Sequence, residues 1–191
     1  MQQADTAAVA SCSGCSIHIT DSAGIAQQRR GFFGGATGAA HRTHKDRRLI
    51  GFSQQQMFDV VADVDSYKHF VPWCQESRVT KIVDDHNFEA DLQVGFKMFC
   101  ERYTSKVHTE APKKIISEAA DSAVFNHLVF KWEFAPGPTQ KTVWTSFAVD
   151  YDFKNALYTQ TSTLFFDQVV SKMISAFEGR CRELYGQPKG T

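Results

Sequence analysis

Residues capable of acid–base, nucleophilic or metal chemistry are plentiful in this chain, but their spacing assembles none of the familiar catalytic patterns. Of seven histidines, His18, His41 and His44 lie near the N-terminus, His69 sits beside a turn, and His86 and His108 fall in a turn or at outward positions. His127 alone holds a position from which a buried ligand is within reach. No H-E-x-x-H pair, paired carboxylates or nucleophile elbow occurs, so a general acid or base at a cavity would have to be His127. Cys12 and Cys15 form a C-x-x-C in a Ser/Ala/Gly-rich stretch with no second ligand pair, which argues against a metal or redox centre. Five scattered cysteines, an odd number, read as reduced thiols. The hydroxyls of Tyr103, Ser105, Thr145 and Tyr151 are more telling, because they punctuate apolar positions. A hydroxyl turned into an apolar interior costs about 1–3 kcal/mol if it is left unbonded. Each must therefore pair with a neighbour or meet something bound.

Strands position those hydroxyls. From Gln75 onward the repeat is two residues. Phe88, Ala90, Leu92, Val94, Phe96 and Met98 share one side; Tyr103, Ser105 and Val107 continue it. Leu128, Phe130, Trp132 and Phe134 form the next run, followed by Val143, Thr145, Phe147, Val149, Tyr151 and Phe153. Such alternation predicts antiparallel strands with one wet and one covered face, turning at Asp84-Asp85, Ala111-Pro112 and Pro136-Gly137-Pro138. Ahead of them a short strand is expected near Lys45–Phe52. A helix should then start at Ser53, whose spacing to Gln56 makes a capping box. Asp65-Ser66 is expected to cap a second short helix, Tyr67 to Phe70, that stops at Pro72.

The cover for the inner face is the last segment. Leu157, Thr161, Phe165, Val169, Met173, Phe177 and Cys181 recur every four residues, with Leu164, Phe166, Val170, Ile174 and Leu184 widening the stripe. Gly186 and Pro188 end it. About 30 residues of helix span roughly 45 Å, enough to cross a strongly bent sheet. The predicted class is α+β, a helix-grip (START-like) fold with a curved antiparallel sheet wrapped around a long C-terminal helix.

The totals fit a binding domain. The chain has 191 residues and 16 phenylalanines, an excess suited to a core or a lipid pocket. Net charge is zero, +3 over residues 1–50 and −3 over the rest. A mildly acidic body lacks the basic footprint of a nucleic-acid binder, and no apolar run approaches the ~18 residues of a spanning helix. Residues 1–43 are rich in small and polar residues; with Arg29-Arg30-Gly31-Phe32-Phe33 they suggest a mitochondrial targeting segment, or else a disordered tail. The folded domain is expected over 44–187, with 188–191 as a tail.

Four separated strings carry a family resemblance. Val61-Ala62-Asp63-Val64-Asp65-Ser66-Tyr67-Lys68-His69-Phe70-Val71-Pro72-Trp73-Cys74 resembles the first helical segment of coenzyme Q-binding proteins of the START/polyketide-cyclase superfamily. Glu101 to Val107 resembles their central strand, and Phe125-Asn126-His127-Leu128 with Trp132 to Pro136 resembles a pocket loop and the strand after it. Phe165-Phe166, Ala176 to Arg180 and Leu184-Tyr185-Gly186 resemble their final helix. The resemblance implies a mitochondrial protein without catalytic residues, catalytic cofactor or metal, holding ubiquinone or its late intermediates as bound ligand. It further implies peripheral contact with the matrix side of the inner membrane and contact with quinone-synthesis or respiratory enzymes. Related bacterial toxins act on ribosomes and cyclases share the fold, so a ribosome-directed module and a cyclase-like enzyme stand as alternatives.

A prenylated quinone needs a polar or stacking partner for its ring and an apolar tunnel for its tail. The expected cavity residues are Phe96, Met98, Tyr103, Ser105, Phe130, Trp132, Phe147 and Val149 from the sheet, with Phe165, Val169 and Met173 from the helix. All of these would equally serve a packed core. Tyr67, Phe70 and Trp73 complete the set, in a cluster with Val71 and Pro72 that reads either as a membrane-touching gate or as a plug. Phe125, His127 and Leu128 are expected on a facing loop. Trp132→Ala is expected to reduce bound quinone without unfolding the sheet.

Overall fold

The first helix starts at its N-cap, Ser53. Its Oγ accepts from the Gln56 N–H at 3.2 Å while Gln56 Oε1 accepts from the Ser53 N–H at 3.0 Å, the expected capping box. The computed structural model describes residues 42–96 and 99–188, with the backbone alone for Phe96, Phe99 and 156–167. The expected targeting segment, the C-x-x-C and Met98 lie outside these residues. In order come β1 (Arg42–Ile50), α1 (Gln54–Ala62), a 3-10 turn (Val64–Ser66), α2 (Tyr67–Phe70), β2 (Cys74–Ile82) and β3 (Asn87–Phe96). They are followed by β4 (Phe99–Glu110), β5 (Lys114–Ala120), β6 (Phe125–Pro136), β7 (Val143–Phe153) and α3 (Ala156–Tyr185).

All seven strands join one antiparallel sheet, β1-β7-β6-β5-β4-β3-β2, so neighbours in sequence are neighbours in space except where β1 closes on β7. The alternation predicted for β7 is complete: Val143, Thr145, Phe147, Val149, Tyr151 and Phe153 are all buried. The helix-grip architecture is present, with α3 lying against β7 and β1, and α1 bracing α3, β5 and β6. Ile174, Phe177 and Cys181 of α3 are fully buried. Leu184 is not part of that stripe; it is 50% exposed, because the helix has run past the core by its last turn. Gly186 ends the helix at φ +81°, with its N–H on the Arg182 carbonyl at 3.0 Å.

Two local expectations need correction. β1 begins and ends earlier than Lys45–Phe52, and its inward residues are partly polar: Arg48 reaches Ser175 Oγ (2.8 Å) and the Ser171 carbonyl (3.1 Å) on α3. The strand through Leu92 and Val94 is described as far as Phe96. Asp65 and Ser66 do not cap α2 through their side chains. Asp65 instead accepts from the Val79 N–H at 2.7 Å, at a bulge in edge strand β2. Buried Ser77 accepts from the Lys68 N–H (3.0 Å) and donates to the Asp65 carbonyl (3.1 Å). Together they close part of an open sheet edge. Asp65→Ala is expected to cost about 1 kcal/mol, since the carboxylate is exposed. Hydrogen exchange checks it: the Val79 amide should exchange faster, and an unchanged rate would show the tether to be idle.

Candidate functional site

Because α3 fills the inner face at the β7 side, the space left open lies over the other strands. A cavity of about 130 Å³ sits there, walled by β3 (Leu92, Val94), β4 (Tyr103, Ser105, Val107), β5 (Ile115, Ser117) and β6 (Phe125, Leu128, Phe130, Trp132). Val64, Tyr67 and the segment Val71-Pro72-Trp73-Cys74 close one side, and Val169 and Met173 of α3 another. None of these side chains is ionised at neutral pH.

The structure brings together Tyr67, Trp73, Tyr103, Ser105, Phe130, Trp132, Val169 and Met173 of the expected set. Phe147 and Val149 are fully buried but do not line the cavity; Phe147 packs behind its wall, 4.5 Å from Trp132. Phe70 also lies off the wall; its ring meets Tyr67 at 5.9 Å and Phe177 at 5.1 Å, with the Arg180 guanidinium 5.6 Å above it. The side chains of Phe96, Met98 and Phe165 are outside the described residues. Thr145 and Tyr151 are inward but do not reach the cavity: Tyr151 Oη is 3.3 Å from His44 Nε2, and Thr145 Oγ1 has no hydrogen-bond partner among the described residues.

Residues 125–128 are strand, not loop. A bulge between Phe125 and His127 changes the parity, so Phe125 and Leu128 both face the cavity. His127 is thereby turned outward, with Nε2 3.9 Å from Asp150 Oδ2. The one histidine expected near a ligand is thus on the outer face of the sheet.

One placement, Glu101, and one backbone conformation, that of Trp73, were missed. Glu101 is only 7% exposed. Its Oε1 accepts from Ser122 Oγ and from the Ala123 N–H, both at 2.8 Å, and Ser122 Oγ in turn accepts from the Phe125 N–H at 2.9 Å. The carboxylate thus fixes the β5–β6 turn that sets Phe125 in the wall, and its alternation with Tyr103 and Ser105 was a readable signal. Trp73 adopts φ +67°, a conformation that costs a bulky side chain about 1–2 kcal/mol. Its carbonyl accepts from the Gly95 N–H at 2.9 Å, and the Lys172 ammonium lies 5.5 Å over its ring, so the strained turn is held from both β3 and α3.

The sequence model of a family described as polyketide cyclase / dehydrase and lipid transport matches residues 50–178. The chain is 38% identical over 145 residues to the mitochondrial coenzyme Q-binding protein COQ10 of Dictyostelium discoideum, covering 75% of this chain and 71% of that one. The chain belongs to the coenzyme Q-binding protein family. It is also 36% identical to the Xenopus laevis coenzyme Q-binding protein COQ10 homolog B, mitochondrial, over 78% of its own length but 62% of the frog protein's. A ribosome association toxin of Rickettsia prowazekii is 28% identical over 72% of this chain and 94% of the toxin. Among solved structures, an 18 kDa Caulobacter crescentus protein is 27% identical with TM-score 0.63, over 76% of this chain and 99% of that one. A Streptomyces aromatase/cyclase, 12% identical, shares the fold at TM-score 0.66 over 80% of this chain and all of its own.

In this member of the coenzyme Q-binding family the wall groups that can titrate are held neutral. Burial raises the hydroxyl pKa of both Tyr67 and Tyr103 far above the usual phenol. Tyr67 Oη donates to the Val61 carbonyl. Burial likewise pushes the Cys74 thiol up to about 11. Since thiolate is the reactive form, about one Cys74 in a thousand is ionised at pH 8. Alkylation of Cys74 by iodoacetamide, followed by peptide mass spectrometry, should therefore be slow at pH 8 and rise about tenfold per pH unit toward 11. A rate matching the denatured chain at pH 8 would contradict this.

Proposed function

We propose that this chain is a non-catalytic carrier of coenzyme Q or its late biosynthetic intermediates, holding part of the molecule in the cavity between β3–β6 and α3. The carrying observation is the wall itself: among the described residues it is mostly carbon surface, with a few hydroxyls, two indoles and no ionised side chain. Such a wall suits a neutral polyisoprenoid and disfavours a fatty acid carboxylate or a phosphate headgroup, whose burial without a partner is costly. Each isoprene unit buried is worth about 3–4 kcal/mol at ~0.8 per carbon group. A cavity of about 130 Å³ is smaller than the ~300–1,000 Å³ that enclose a drug-sized ligand. The greater part of a long tail stays outside.

The names of the relatives supply coenzyme Q and the mitochondrion. Placement at the matrix face of the inner membrane, support of respiration and quinone synthesis, and the targeting role of residues 1–43 belong to the same proposal. Among the described residues no helix is long and apolar enough to cross a membrane, which suits peripheral contact. The reading as a carrier rather than a cyclase is supported by the wall's chemistry, since its phenols and thiol stay protonated and His127 faces away.

Organic extraction of the purified chain followed by mass spectrometry tests the proposal. A prenylated quinone should be recovered near one per chain. Recovery of phospholipid alone, or of nothing across several preparations, would sink it. Turnover of an aromatic polyketide substrate would instead support the cyclase.

A further inference from the structure

The wall's few polar atoms are grouped, and their hydrogens can be counted. Ser105 Oγ and Ser117 Oγ are 2.6 Å apart. A pair of hydroxyls fills one such bond with one hydrogen, which leaves the second hydrogen to find another acceptor. Tyr103 stands two places before Ser105 on the same face of β4, only 5% exposed, and among the described residues nothing hydrogen-bonds its hydroxyl. Tyr67, the other phenol of the wall, already donates to the Val61 carbonyl. The surface therefore offers two uncommitted hydroxyl hydrogens from β4 and β5; apart from these and the indole N–H groups of Trp73 and Trp132, its described side chains present carbon and sulfur.

Depth separates Tyr103 and Ser105 from the rim. Ser105 is fully buried and Tyr103 nearly so, whereas Val71, Trp73 and Met173 are half-buried. With about 130 Å³ available, either a ring or a short stretch of tail can be enclosed, not both ends of a long prenyl quinone. Leaving the buried donors unmet costs about 1–3 kcal/mol each, a penalty that a hydrocarbon tail cannot relieve and ring oxygens can.

We infer that Tyr103 and the Ser105–Ser117 pair form a headgroup seat for acceptor oxygens, carbonyl or ether, so that a quinone enters ring first and its tail leaves past Trp73 and Met173. The inference rests on the quinone reading above and adds to it the orientation and the residues that select the ring. It also defines a ligand class: uncharged prenyl compounds carrying acceptor oxygens at the ring end bind more tightly than ring-free terpenes.

The test uses the full chain, with ubiquinone-2 and the ring-free hydrocarbon farnesene as probes in equilibrium dialysis. Tyr103→Phe and Ser117→Ala should each weaken ubiquinone-2 about three- to tenfold, the worth of one hydrogen bond, and shift farnesene less than twofold. Tyr103→Phe removes a single oxygen; should it melt early, Ser117→Ala at a half-buried position carries the test alone. Ubiquinone-4 should bind wild type at least as tightly as ubiquinone-2, because the added tail lies outside. Equal ubiquinone-2 affinity in wild type and both variants would overturn the seat while leaving the quinone reading intact. A tenfold loss on lengthening the tail would overturn the ring-first orientation. Wild type that binds no ubiquinone-2 would remove the quinone reading, and the seat with it.

Discussion

Phe177→Ala is expected to cost about 3–5 kcal/mol of folding stability, the range for truncating a fully buried phenylalanine. Phe177 has no exposed surface, and its ring is the hub of an aromatic cluster: Tyr67 and Phe70 lie at 5.1 Å and Trp132 at 4.8 Å, all edge-on. These three partners come from α2 and β6, so one side chain of α3 ties the final helix to both sides of the fold. Losing it leaves a void that rigid strands cannot close. Urea denaturation monitored by tryptophan fluorescence measures the effect, and the melting temperature should fall by roughly 10 °C or more. A loss below about 1 kcal/mol would mean that the ring is not the hub its contacts describe.

The same geometry revises what Trp132→Ala can be expected to do. Trp132 is 3% exposed and lies 4.5 Å from Phe147 and 4.8 Å from Phe177, so it is core as well as cavity wall. Truncation to alanine should destabilise the sheet along with emptying the cavity, and the two effects would be hard to separate.

Val169→Phe separates them. Val169 reaches the cavity from α3 and is 7% exposed, so a ring there would take up much of about 130 Å³ without deleting any packing. Quinone recovered after extraction should fall at least tenfold, while the melting temperature stays within a few degrees of wild type or rises. Overpacking in a tight core typically costs about 1–3 kcal/mol. A sharp drop in stability would therefore show that the space is not open to a side chain. Full quinone recovery with normal stability would place the ligand elsewhere.

The fold was largely legible because its signals were periodic. Alternation in β7 and the four-residue repeat in α3 follow from geometry that every residue of the element obeys, and Ser53 with Gln56 announces a helix start within four positions. The site was legible only in part, for three physical reasons. The sheet has one inner face, but α3 covers part of it, so Phe147 and Val149 share parity with Trp132 without sharing its cavity. The bulge at Phe125–His127 changes side-chain parity inside a strand, and nothing in the local composition marks it. Polar residues with inward parity were discounted in β1 and at Glu101. There the inward side of the sheet is made partly of hydrogen bonds, exposed ones from Arg48 to α3 and a buried one from Glu101 to the β5–β6 turn, which hydropathy does not score.

The uncharged wall has a consequence for how cargo is controlled. With no ionised side chain in the cavity wall among the described residues, and with Cys74, Tyr67 and Tyr103 all held protonated, neither ionic strength nor pH across the neutral range has a direct hold on the affinity of the proposed carrier. Screening acts only on charges. Such a grip does not weaken when the surrounding electrolyte changes. For the proposed carrier, release would then depend on movement of the segments that close the cavity, or on contact with a more apolar destination such as a bilayer interior.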